Sequence, residues 1–148
     1  MTNKQFAIVG GGIGGLTLGI ALQRKGFNVT IFESAPTLRP LGAGITLAGN
    51  AVKALIQIGI ADAVLEAGKI LQALIIKDQK GNILTQTNAE VLSRKFGVIN
   101  SFSIHRGDLQ NILLRQLRPG SLLTGKKLLN FCQKQNGVTL YFEDGSYA

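Results

Sequence analysis

The chain has 148 residues, enough for one ordinary domain, and 45% of them are hydrophobic, which suffices for a packed core. Its formal net charge is +8, but the basic residues are spread along the chain and do not alternate with aromatic ones, so the charge does not indicate nucleic-acid binding. No apolar run approaches the length of a membrane span, and one cysteine, Cys132, excludes an internal disulfide and fits a reducing, cytoplasmic compartment.

The first predicted element is a buried parallel strand, Phe6-Ala7-Ile8-Val9, which runs directly into a glycine-rich turn. In this turn Gly10 permits a tight change of direction, Gly12 lets the backbone approach a diphosphate, and Gly15 lets the next helix pack against the strand. We predict that helix over residues 13–25, with its N-terminal amides and positive dipole end directed at the diphosphate.

A second strand, Val29-Thr30-Ile31-Phe32, is predicted to end at Glu33. A carboxylate at that end of the strand is placed to accept hydrogen bonds from ribose hydroxyls, and it repels a 2′-phosphate, which disfavours NADP at this site. Strand, turn, helix and acid together indicate a protein that binds an adenine dinucleotide. The alternative is a glycine-rich loop that holds no ligand.

The rest of the chain is predicted to contain an antiparallel layer, a helix and further strands. In order, we predict a loop over residues 34–47, a helix over 50–58 and a hairpin with strands over 71–77 and 83–87. A strand over 99–104, a helix over 106–117 and a second hairpin with strands over 128–131 and 138–142 follow. This order argues against an NAD-dependent dehydrogenase, because such a domain would more often continue in βα units.

Several segments resemble one family of flavoproteins. Residues 10–33 match the long form of the adenine-dinucleotide fingerprint. Gly42-Ala43-Gly44-Ile45-Thr46-Leu47 and His105-Arg106-Gly107-Asp108-Leu109 resemble two motifs of the class A FAD-dependent monooxygenases, the aromatic hydroxylase family. Residues 125–128 and 142–145 resemble the strands that cover the adenine end of the flavin nucleotide in that family. The resemblance spans essentially the whole chain and is especially similar to salicylate hydroxylase-like and tetracycline-degrading members.

The resemblance implies a resident FAD and a set of residues that bind it. The ribose would be bound by Glu33, the ribityl–diphosphate part by Arg106 and the adenine by Leu128, while Arg39 and Ile45 would lie in the loop near the isoalloxazine. The glycines implied to bind the diphosphate are Gly10, Gly12, Gly14 and Gly15.

Some of these assignments have alternatives. Leu128 is also interpreted as a core residue, and Arg106 as a helix-start residue paired with Asp108. Ser34 stands where the family often has a basic residue, which leaves one adenosine contact open. His105, the sole histidine, has no nearby Cys or second His, so no metal site is predicted.

The fold implied is α/β: a Rossmann-like FAD-binding βαβ unit with a parallel sheet and an inserted antiparallel β layer, truncated. The activity implied is an NAD(P)H-dependent monooxygenase, in which NAD(P)H binds transiently, O₂ adds to reduced FAD, and the flavin hydroperoxide hydroxylates a small aromatic substrate. No catalytic acid or base, partner protein or oligomeric state is predicted.

Two later motifs of the family, an Asp-Gly segment and a Gly-Asp segment, are not found, and neither is a substrate domain. We therefore expect residues 1–148 to be the N-terminal fragment of an FAD-binding domain, inactive by itself. The alternatives are a catalytically silent nucleotide-binding module and an NAD-dependent oxidoreductase.

Overall fold

The computed structural model describes residues 4–39, 42–97 and 101–148, and the chain divides into two compact units. The first unit comprises Met1–Pro40 and Leu113–Ala148, and the second comprises Leu41–Ile112. The elements are, in chain order, β1 Gln5–Val9, α1 Ile13–Arg24, β2 Asn28–Phe32, β3 Gly44–Ala48, α2 Gly49–Gln57, α3 Ala61–Glu66, β4 Lys69–Ile70, β5 Ala73–Lys77, β6 Ile83–Asn88, α4 Ala89–Phe96, β7 Ser101–His105, α5 Arg106–Gln116, β8 Leu122–Leu123, β9 Leu128–Lys134 and β10 Gly137–Phe142.

The first unit is built on a parallel sheet with the strand order β1-β2-β8. β1 and β2 pair in parallel, and β8 joins the other edge of β2 opposite Ile31 and Phe32. α1 buries Leu16 and Ile20. At Gly19 an added Cβ would lie only 2.8 Å from Cδ1 of Ile31, so the absent side chain lets this helix cross the sheet closely. The predicted βαβ unit and the Rossmann-like α/β class are confirmed.

The first unit also contains the antiparallel hairpin of β9 and β10. Its core is a cluster of Phe32, Leu140 and Phe142, in which the two phenylalanine rings have centroids 4.8 Å apart. Leu128 packs against this cluster and is half-buried. Cys132 is exposed on β9.

The second unit contains an antiparallel sheet with the strand order β3-β7-β4 and a separate hairpin of β5 and β6. The predicted antiparallel layer is therefore confirmed, although it consists of two sheets. Its buried apolar residues come from the helices and from β7, and include Val52, Leu55, Val64, Phe102, Ile104 and Leu109. The residues of the predicted 99–104 strand that precede Ser101 lie outside the described part of the chain.

Several elements differ from the sequence prediction, among them β4, which lies before the strand predicted to begin at residue 71. Residues 44–47 were predicted as loop but belong to β3, which pairs with β7 from Gly44–His105 to Ala48–Ser101. α4 was missed, although its start is capped by Asn88, whose side-chain oxygen accepts from the amides of Glu90 and Val91. β8 was missed because two residues are too few to show a period.

Candidate functional site

The turn between β1 and α1 depends on glycine at two positions. Gly10 has φ +104°, a backbone conformation that favours glycine, and its amide donates to the carbonyl of Phe32 at 2.8 Å. A Cβ on Gly15 would overlap the carbonyl oxygen of Gly10. The helix can therefore start this close to the strand only without a side chain at Gly15, as predicted.

The N-terminus of α1 faces open space. Its N-cap residue is Gly12, no side chain among the described residues caps it, and its first turn carries no acidic residue. A Cβ placed on Gly12 or on Gly14 would meet no atom of the described residues within 4 Å. Uncapped amides, the positive end of the helix dipole and free volume together make a site suited to a phosphate group.

The carboxylate of Glu33 is held beside this turn. Its Oε2 accepts from the amide of Gly11 at 2.6 Å, and its Oε1 accepts from the amide of Ala35 at 2.7 Å and from Oγ of Ser34 at 3.0 Å. The Ala35 hydrogen bond contributes most to lowering the pKa of Glu33, the Gly11 and Ser34 hydrogen bonds add to it, and partial burial opposes them. The acid therefore stays ionised at neutral pH and keeps one fixed orientation.

The predicted residues of the first unit occupy adjacent segments. Gly10, Gly12, Gly14 and Gly15 form the turn and the start of α1, and Glu33 is joined to that turn through Gly11. Leu128 packs against the cluster that contains Phe32, the residue before Glu33 in the chain. Because Leu128 is half-buried, both of its sequence interpretations, core residue and adenine contact, remain open. Arg39 is exposed in the loop after β2.

The remaining two predicted residues lie in the second unit, at one end of the β3–β7 pair. Ile45 is half-buried and pairs with Ile104. The amide of Arg106 donates to the carbonyl of Ala43 at 3.2 Å. Gly42 has φ +135°, and a Cβ there would lie 3.1 Å from Cδ of Arg106, so this glycine makes room for the arginine stem.

Sequence reasoning missed the residues that orient the acid. Gly11 was noted only as part of the glycine run, yet its amide is the direct link between turn and carboxylate. Ser34 was noted for the basic residue it replaces, and the structure shows its hydroxyl donating to Glu33. The only available signal was the position of Ser34 and Ala35 directly after the acid.

Within the described stretches of the chain, no helix is both long and apolar enough to cross a bilayer. The same stretches contain no group of three His, Cys, Asp or Glu side chains that could hold a metal ion.

Comparison with protein families gives a match between residues 8–57 and the NAD(P)-binding Rossmann-like domain. Among curated proteins, the chain is 38% identical to an aurachin C monooxygenase/isomerase of Stigmatella aurantiaca and 33% identical to a 6-hydroxynicotinate 3-monooxygenase of Pseudomonas fluorescens. Each match covers 97% of this chain, but only 37% and 38% of the respective relatives. The chain thus spans little more than a third of their length.

Solved structures show the same fold. The crystal structure of Klebsiella pneumoniae HpxO complexed with FAD and uric acid superposes with a TM-score of 0.86 at 28% identity, over 99% of this chain and 37% of that one. The tetracycline destructase Tet(55) gives a TM-score of 0.72 at 28% identity, over 99% of this chain and 36% of that one.

Proposed function

We propose that this chain, which is homologous to the N-terminal part of FAD-dependent monooxygenases, binds the adenosine-diphosphate half of FAD. The observation that carries the proposal is the uncapped start of α1, with open space above Gly12, beside a carboxylate fixed by the Gly11 amide. A diphosphate needs the first feature and a ribose needs the second.

The diphosphate would lie over Gly12 and Gly14, where no side chain comes within 4 Å of the Cβ positions. The amides of the first turn of α1 would donate to its oxygens, and Gly10 and Gly15 keep the turn close enough for this. At the turn itself, backbone groups would then stabilise the charge of the ligand.

The ribose hydroxyls would donate to Glu33. The Oε2 atom accepts from the amide of Gly11 and has a second acceptor direction, so it can still accept from a ligand. Leu128 would contact the adenine with the face that the Phe32 cluster leaves exposed. Following the family resemblance, Arg106 is proposed to lie along the ribityl–diphosphate part, and Arg39 and Ile45 in the loop near the isoalloxazine.

For the whole protein we propose an NAD(P)H-dependent monooxygenase of the cytoplasm that uses O₂ to hydroxylate a small aromatic or heterocyclic compound. This follows the relatives, whose names describe monooxygenases and hydroxylases of 6-hydroxynicotinate and urate. Bound flavin would supply the redox and oxygen chemistry. The residues of this chain would bind and orient it, and none of them is proposed as a proton-transfer catalyst.

The proposal is tested by titrating the purified chain with ADP, FAD and FMN while following the amide signals of Gly11, Gly12 and Ala35 by NMR. ADP and FAD are expected to shift these signals saturably, whereas FMN, which lacks the adenosine, should not. We expect weak FAD binding because the chain spans only about a third of its relatives. Saturable shifts with FMN alone, or none with ADP, would contradict the proposal.

A matched pair of variants sharpens this test. Gly12→Val places a side chain in the empty diphosphate space, where its Cβ meets nothing, so the fold should persist while ADP binding is lost. Gly44→Ala is the control, since its Cβ has only Oγ of Ser103 nearby, at 3.8 Å, and lies outside the proposed ADP contacts. Unchanged ADP binding by Gly12→Val would place the diphosphate elsewhere.

An NAD-dependent oxidoreductase is the second candidate, favoured by the match of residues 8–57 to an NAD(P)-binding domain model. The same titration with NAD⁺ and FAD separates the two, because both contain ADP and differ in the other half. A preference for NAD⁺ over FAD would favour the dehydrogenase, and equal binding of ADP, NAD⁺ and FAD would fit a silent nucleotide-binding module.

A further inference from the structure

Lys126 connects two parts of the first unit through its backbone and its side chain. Its backbone is paired with the segment that follows β2, and its side chain contacts the turn after β10. We call Lys126, Asp144 and Ser146 the Lys126 cluster.

The backbone of the proposed ribose site is fixed by the segment around Lys126. The amide of Glu33 donates to the carbonyl of Leu123 at 2.9 Å, and the amide of Lys126 donates to the carbonyl of Glu33 at 2.7 Å. The amide of Gly125 donates to the carbonyl of Ala35 at 3.0 Å. Because Ala35 in turn donates its amide to the Glu33 carboxylate, a shift of this segment would shift the acid.

The side chain of Lys126 restrains that segment. Its Nζ donates to Oδ2 of Asp144 at 2.6 Å and to Oγ of Ser146 at 2.9 Å, and it lies 5.8 Å from the ring centroid of Phe142. The side chain is only 27% exposed. Its hydrogen bond holds the pKa of Asp144 well below the usual range, so Asp144 stays ionised across the neutral range.

The neighbouring lysine provides a contrast. Lys127 donates to Glu143 at 2.9 Å, but both side chains are more than half exposed, at 59% and 57%. Exposed pairs of this kind contribute little to stability. The two ion pairs lie at the same hairpin and have similar lengths. Of the two lysines, only Lys126 donates its amide to the carbonyl of Glu33.

We propose that Lys126 is a positioning residue for the adenosine end of the ligand: through Asp144 and Ser146 it holds the segment 123–128, and this segment holds Glu33 and Leu128 in place. The inference rests on the proposed function, since it assumes that Glu33 binds a ribose. Loss of a partly exposed ion pair is worth about a twofold to fivefold change in affinity.

The test measures the ADP affinity of the purified chain by NMR titration, and separately the pKa of Glu33 from its carboxyl carbon signal. Lys126→Met is expected to weaken ADP binding about threefold and to raise the Glu33 pKa towards its ordinary value. Lys127→Met, the matched control, should change neither. Lys126→Arg should restore both, because it keeps the cation near Asp144. A residue that only stabilises the hairpin would leave the Glu33 pKa unmoved.

Asp144→Asn is the second variant and should reproduce the direction of both effects. If the wild-type chain does not bind ADP, the proposed function fails and this inference fails with it. If the wild type binds ADP while Lys126→Met changes neither the affinity nor the Glu33 pKa, the inference alone is overturned. If Lys126→Met and Asp144→Asn both unfold the chain, the cluster is a determinant of folding, which also overturns it.

Discussion

The two units of the chain differ in one respect: the first contains a hydrogen-bonded candidate site, and the second contains a hairpin with exposed apolar side chains. In the first unit, the glycine turn, Glu33 and the Lys126 cluster are joined by hydrogen bonds that begin and end within that unit. In the second unit, the β5–β6 hairpin exposes large apolar side chains, namely Leu74, Ile75, Ile76, Ile83 and Leu84. Leu84 is 67% exposed.

The acid of the first unit is already oriented by hydrogen bonds, whereas the hairpin of the second unit leaves its apolar side chains in contact with solvent. A carboxylate that already has fixed donors loses little conformational freedom when a ligand arrives, and this favours binding. A two-stranded hairpin with apolar residues on both faces is marginal in water, because strands need a third neighbour or a packed face. The first unit therefore carries the glycine turn and Glu33, while the β5–β6 hairpin is one of the parts of the chain whose apolar side chains are exposed.

The largest effect is expected at the turn of the first unit. Gly15→Ala places a Cβ against the backbone carbonyl of Gly10, which cannot move without shifting β1, so we expect the free energy of unfolding to fall by about 3 kcal/mol. Denaturant unfolding measures this. Gly14→Ala is the control: its Cβ meets nothing, and alanine is a better helix former, so stability should stay or rise by up to about 1 kcal/mol. Equal stability of both variants would show that the turn is not closely packed.

A smaller effect is expected from the acid. Glu33→Gln replaces a charged acceptor of two amides, and for this half-buried group we expect about 1 kcal/mol less stability at pH 7. The pKa of Glu33 is lowered on folding, so its stabilising contribution is present above its ordinary pKa and is lost as the pH falls through the lower folded value. The difference in the free energy of unfolding between wild type and Glu33→Gln should therefore shrink when denaturant unfolding is repeated between pH 7 and pH 3. A difference that does not change with pH would mean that the ionised carboxylate does not stabilise the turn.

The smallest effect is expected in the second unit. Leu84→Lys removes exposed apolar area from β6, so stability should change by less than about 0.5 kcal/mol, while self-association measured by light scattering should decrease. Gln86→Lys, on the same strand, adds the same charge without removing apolar area and controls for charge alone. A loss of more than about 1 kcal/mol in Leu84→Lys alone would show that this side chain is packed, and the contrast between the two units would then disappear.

The parts that were predictable from sequence are those encoded by neighbouring residues. Helix α1, its glycine turn and Glu33 at the end of β2 all follow from short-range patterns, and the structure places them as predicted. The α4 helix was also encoded locally, by Asn88 at its start and Gly97 at its end, but its capping residues were not recognised. The sequence therefore contains the signal for α4, and only its interpretation was wrong.

The other failures have a different physical cause. Residues 44–47 were predicted as loop because Gly42 and Gly44 weaken the strand pattern, and because the pairing partner β7 lies far along the chain. β8 is a strand only because Leu122 and Leu123 meet the edge of β2. Neither contact leaves a local signal, since strand pairing depends on which edge is available in the folded chain.

By itself, the sequence determined the βαβ unit, the position of Glu33 and the resemblance to FAD-dependent monooxygenases, because each rests on short motifs of neighbouring residues. Only the tertiary structure decided that Gly11 and Ala35 orient Glu33, that Gly42 makes room for Arg106 and that Lys126 contacts Asp144. The Gly11, Gly42 and Lys126 contacts join segments distant in sequence, and they form only when the burial of core residues within the same unit has offset the entropy of closing the chain between them.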